Sequence, residues 1–159
     1  MRTSVIEAIK ALSINPDTLV AVRLTQYEVV LDKILETFTT LGQRGKNNFW
    51  LWEHFRGQKA VYSAGDGNNL DALASLISDA KRVWFLTEEW EGNKGKGNYW
   101  GFEGSPASIV NVIRELHHFE YYIVAKDFSW LVCENHHNTL IGVGELMCKR
   151  IEGLQQGKK

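Results

Sequence analysis

Tyr27, Val30, Leu31, Ile34, Leu35, Phe38 and Leu41 recur at three- and four-residue spacing. That period predicts a long amphipathic helix with one apolar side laid on a sheet. Thr25 and Glu28 stand at capping-box spacing at its start, and Gly42 supplies the stop. A second box, Ser4 and Glu7, predicts a shorter helix carrying Val5, Ile9 and Leu12. Asn15-Pro16-Asp17 ends it, because proline disfavours helix in the residue before it.

The pattern then shortens. Residues 48–53 and 59–63 read as two strands around Arg56-Gly57-Gln58, with Trp50 and Trp52 on one strand face. After the turn Gly65-Asp66-Gly67, Asn68 or Asn69 caps a helix carrying Leu70, Leu73, Leu76, Ile77 and Ala80. Residues 82–87 form a buried strand, and the strand–helix–strand order across 59–87 predicts a parallel crossover. Residues 88–98 are polar and glycine-rich, as in an exposed loop, and extended structure resumes at Tyr99-Trp100-Gly101-Phe102. Ser105-Pro106 opens a helix with a cap-then-proline start, and Ile109, Val110, Val112, Ile113 and Leu116 form its apolar side. A hairpin of 119–125 and 128–134 turns at Lys126-Asp127, followed by a strand at 139–143 and a helix from Glu145. Residues 154–159 form a frayed tail. The expected fold is one α+β domain over 1–159, a mixed sheet of about six to seven strands with helices packed on it.

Composition narrows the function classes. Lys+Arg number 18 against 19 Asp+Glu, so no bulk charge calls for direct contact with nucleic acid or an anionic membrane. No apolar run approaches the roughly 20 residues of a membrane helix, and Glu7 and Lys10 interrupt the start where a signal peptide would be apolar. Cys133 and Cys148 lie in apolar surroundings and read as buried free thiols, which places the protein in the cytoplasm. Oligomeric state leaves no mark on the sequence.

Candidate chemistry is sparse. Cys133-Glu134-Asn135-His136-His137 offers metal-ligand types, but a second Cys/His pair at zinc spacing is absent, so no metal and no cofactor are expected. Adjacent histidines in extended backbone also point to opposite sides. Gly92-Asn93-Lys94-Gly95-Lys96-Gly97 lacks the Ser/Thr and following helix of a phosphate loop. Neither a Gly-x-Ser-x-Gly elbow nor a His-Glu-x-x-His helix occurs. Glu53 and Glu103 read as outward positions on half-exposed strands rather than a catalytic pair. Trp90 differs from the other tryptophans because Glu88, Glu89 and Glu91 flank it. It is either an anchor for a basic partner or a side chain folded back on the sheet.

Trp100-Gly101-Phe102-Glu103-Gly104-Ser105, Phe119-Glu120-Tyr121-Tyr122-Ile123-Val124, and Trp130 through His137 to Gly142-Val143-Gly144 resemble a family of small bacterial proteins. Several such proteins serve as immunity proteins beside polymorphic or contact-dependent toxins. The resemblance covers the C-terminal half well and the N-terminal half loosely. It implies a non-catalytic protein that binds a cognate toxin domain, and no catalytic residue comes with it. The expected contact residues are Glu88, Glu89, Trp90, Glu91, Glu134, His136 and His137. Two alternatives stand beside this: a small hydrolase or nucleotide-processing enzyme using the turn from Glu134 to His137, and a ligand-sensing or assembly domain.

Overall fold

Strand β3 (Val83–Glu88) is buried along its whole length, with Val83, Phe85 and Thr87 on one face and Trp84, Leu86 and Glu88 on the other. A strand apolar on both faces needs cover on both. The computed structural model describes residues 1–65, 68–89, 97–116 and 118–157. In it β3 lies near the middle of a seven-stranded sheet of order β1-β4-β3-β5-β6-β7-β2. The other strands are β1 (Leu19–Ala21), β2 (Lys59–Tyr62), β4 (Tyr99–Gly104), β5 (Tyr121–Ala125), β6 (Leu131–Asn135) and β7 (Thr139–Val143).

One face carries α1 (Arg2–Ala11), α3 (Leu70–Ile77), α4 (Pro106–Glu115) and α5 (Glu145–Gln156). Val5, Leu73, Ile109 and Met147 from these helices share one core with Phe85, Tyr121 and Val132 of the sheet. Gly142 lets α5 approach β7, since a Cβ there would lie 2.5 Å from Ile151 Cδ1 and 2.7 Å from Met147 Cγ. The opposite face carries α2 (Leu24–Phe38) and two 3-10 turns, Gly42–Asn47 and Leu51–His54. There Leu31, Leu35, Leu51 and Phe55 pack on Leu86, Tyr99, Tyr122 and Cys133. The result is an α+β domain with its sheet between two unequal helical layers.

The expected α+β class and strand number hold, with three differences. Every ladder is antiparallel. The sheet is therefore not mixed, and the crossover over 59–87 does not form: β2 pairs with β7 at the sheet edge, far from β3. Residues 48–53 form no strand, because Trp50 adopts a left-handed backbone (φ 57°) and a 3-10 turn follows it. The seventh strand is instead β1, too short to register as a pattern. Neither predicted capping box caps a helix. Ser4 and Glu7 fall inside α1, and α2 starts after Arg23 without a side-chain cap. α2 also stops at Phe38, where Thr39 turns extended, four residues before Gly42. The cap-then-proline reading holds, since Ser105 Oγ accepts from Ser108 N at 3.3 Å and Pro106 follows. Both cysteines are free and buried. Among the described residues no helix is long and apolar enough to cross a membrane.

Candidate functional site

Antiparallel order brings the end of β3, the start of β5 and the end of β6 to one rim of the sheet. Thr87 pairs with Tyr121, which pairs with Glu134. Each strand delivers a glutamate there: Glu88, Glu120 and Glu134 are 1%, 2% and 6% exposed. Alternation sends Glu88 and Glu120 to the α2 face with Tyr122, and Glu134 to the opposite face with Val132.

The first centre is built around Glu120. Its Oε1 accepts from Trp52 Nε1 at 3.1 Å and from His136 N at 3.0 Å, and lies 2.7 Å from His136 Nδ1. Glu88 Oε2 accepts from Trp50 N and from the Tyr122 hydroxyl, each at 3.1 Å. That hydroxyl accepts from Leu51 N at 3.1 Å. The left-handed turn at Trp50 thus aims two successive amides at this network. Glu88 Oε1 and Glu120 Oε2 are enclosed and meet no donor from the described residues. Burial, then the neighbouring Glu120 carboxylate, push the Glu88 carboxyl up to about 8. Near neutrality Glu88 therefore keeps its proton.

Above this pair lies an aromatic surface. Trp50 and Trp52 are half-buried, whereas His136 and His137 are exposed. His136 has its ring 5.5 Å from Trp50 and 5.9 Å from Trp52; His137 is 5.8 Å from Trp52. The histidines sit on a three-residue β6–β7 turn closed by Asn138 N to Asn135 O at 3.0 Å. Asn138 takes the left-handed conformation (φ 54°) that asparagine tolerates well. Buried Asn135 fixes the turn, its Oδ1 accepting from His137 N and Thr139 N at 3.1 Å.

The second centre holds Glu134. Its Oε1 accepts from Asn69 Nδ2 at 2.8 Å and its Oε2 from the Tyr121 hydroxyl at 2.5 Å. Asn69, fully buried, also donates to Asn138 O at 2.9 Å and accepts from Ala64 N at 2.9 Å. Burial, then the nearby Glu134 carboxylate, keep the Tyr121 phenol protonated by pushing it well above its ordinary range.

The residues expected to act together are therefore divided. Glu134 and His136 lie two apart in sequence but belong to different faces, so the turn does not assemble a carboxylate–imidazole site of its own. The carboxylate beside His136 comes from Glu120, which sequence reasoning missed. The β5–β6 register held the signal: Tyr121 opposite Glu134 places Glu120 opposite Asn135, next to His136. Glu88 does not begin an exposed loop; it is the buried last residue of β3. The Glu89 carboxylate is engaged by the Met1 ammonium and by Arg2 N. Trp90 and Glu91 lie outside the described residues, as does most of the glycine-rich run. Glu103 pairs with Arg82 and Lys126 while Glu53 is exposed on the second 3-10 turn. Among the described residues no group of three or more His, Cys, Asp or Glu is placed to hold a metal ion.

Residues 1–155 match DUF6756, a family of unknown function, and the chain belongs to that family. No curated protein and no solved structure matches it.

Proposed function

We propose that this DUF6756 protein is a non-catalytic binding protein, an immunity protein that neutralises a cognate bacterial toxin domain by covering its active or substrate-binding surface. The observation that carries the reading is the aromatic rim: Trp50, Trp52, His136 and His137 partly exposed over backbone held by buried carboxylates. Tryptophan is enriched in binding hot spots, and a rim already ordered loses little freedom on association. Glu89 departs from this rim and carries the chain toward Trp90 and Glu91, which enter the proposal from sequence alone. The resemblance to immunity proteins supplies the partner class. The test is co-expression with the variable C-terminal domain of the neighbouring toxin gene. A stoichiometric complex and protection of the host cell are expected. Absence of both would end the immunity reading.

A second reading rests on one feature, the protonated Glu88 neighbouring Glu120, which in turn touches His136. Such a pair can act as general acid and base in a small hydrolase. It requires substrate to reach Oε1 of Glu88 or Oε2 of Glu120, both enclosed in this structure. Turnover of esters, phosphoesters or nucleotides that is lost in Glu120→Gln with the fold intact would favour it over binding.

A further inference from the structure

Glu134 does more than tie down Asn69. With Tyr121 and Asn138 it lines a half-open cavity of about 220 Å³ on the α4 side of the rim, walled also by Phe119, His118 and Arg114. Both partners of the Glu134 carboxylate, Asn69 and Tyr121, are neutral donors. No cation from the described residues forms an ion pair with it. An uncompensated carboxylate at this depth is costly, and a cation arriving through the cavity would recover much of that cost. Phe119 and Tyr121, ring centroids 5.4 Å apart, give the same wall aromatic faces that favour an ammonium group. Arg114 brings the opposite charge to the same cavity. Among the described residues its guanidinium is held by one neutral contact, Asn111 Oδ1 at 3.2 Å, which leaves donors for an anion.

We propose that this cavity binds a small zwitterion of the amino-acid class, its ammonium on Glu134 and its carboxylate on Arg114. A plain amine would leave Arg114 facing a like charge, and a plain acid would meet Glu134. Only a ligand with both ends matches both poles. The inference is independent of the toxin-binding proposal, whose rim uses the other face of the sheet.

The probes are ω-amino acids from glycine to 6-aminohexanoate, with pentylammonium and pentanoate as single-ended controls. Binding is followed by NMR shifts of Tyr121 and Phe119 and by calorimetry. The expected result is saturable binding with an optimum chain length, about tenfold or more tighter than either control. Glu134→Gln should abolish it, and Arg114→Gln should reduce the zwitterion to the level of pentylammonium. Thermal unfolding of both variants confirms that the cavity is still formed, and a misfolded Glu134→Gln is replaced by Tyr121→Phe, which should weaken binding. Three results would each overturn the proposal: no saturable shift with any probe, pentylammonium binding as well as the zwitterions, or zwitterion binding unchanged in Arg114→Gln.

Discussion

Glu120 and Glu134 leave neighbouring strands at the same rim, yet one is sealed and the other faces a cavity. Glu120 is 2% exposed, lies under Trp52 and the His136 backbone, and has the protonated Glu88 as its neighbour. Glu134 meets a phenol and an amide and looks into about 220 Å³ of open space. Both carboxylates organise loops, but they lower the cost of their charge differently. In the sealed pair Glu88 stays neutral, whereas the open one can be solvated or met by a ligand. Buried acids at one sheet end are thus not a single site; alternation along the strands sorts them into a rigid support and a receptive pocket.

That contrast depends on the α2 layer staying shut. Leu35 is fully buried and lies so close to Gly45 that a Cβ there would be 2.7 Å from Leu35 Cδ2. Leu35→Ala should cost about 2–5 kcal/mol in chemical denaturation. An unchanged midpoint would mean that this face is not packed as described. Next in size is the comparison itself. Glu120→Ala strips acceptors from Trp52 and His136 in a site closed to water, and should cost about 3 kcal/mol. Glu134→Ala should cost roughly half that, because water entering the cavity can serve Asn69 and Tyr121. Equal losses would erase the distinction between sealed and open.

A separate effect is expected from pH. The raised Glu88 carboxyl binds its proton more tightly in the folded protein than in the unfolded chain. Between about 4.5 and about 8 the native state therefore holds more protons, and stability falls as pH rises through that window. Glu88→Gln should flatten the decline across that window. Denaturation midpoints from pH 4.5 to 8.5 check this. Parallel curves for the two proteins would show that Glu88 has no unusual proton affinity.

Much of this scaffold was legible from spacing alone. The period of α2 marked Leu31, Ile34, Leu35 and Phe38 as core, and all four are buried. The strand at Thr139–Val143 and the Ser105 cap were also local signals. What escaped was non-local or special in backbone. Trp50 and Trp52 alternate like strand residues, but the left-handed turn at Trp50 breaks the strand. β2 finds its partner in β7, which no neighbouring residue announces. The partnership of His136 with Glu120 needed the hairpin register, and the Glu88–Glu120 pair needed a second strand pairing as well. Sequence neighbours suggested that Glu134 and His136 shared a site; the β6–β7 turn, which begins at His136, separates them.

The claim that the aromatic rim is a recognition surface is tested most directly by dissociation kinetics. The measurement is the off-rate of the cognate toxin domain from the wild-type protein and from Trp52→Ala, at two salt concentrations, with unfolding as a stability control. The account predicts a complex that dissociates about thirty-fold faster in Trp52→Ala, corresponding to about 2 kcal/mol, with little change in association or salt dependence. Equal off-rates for two equally folded proteins would contradict it.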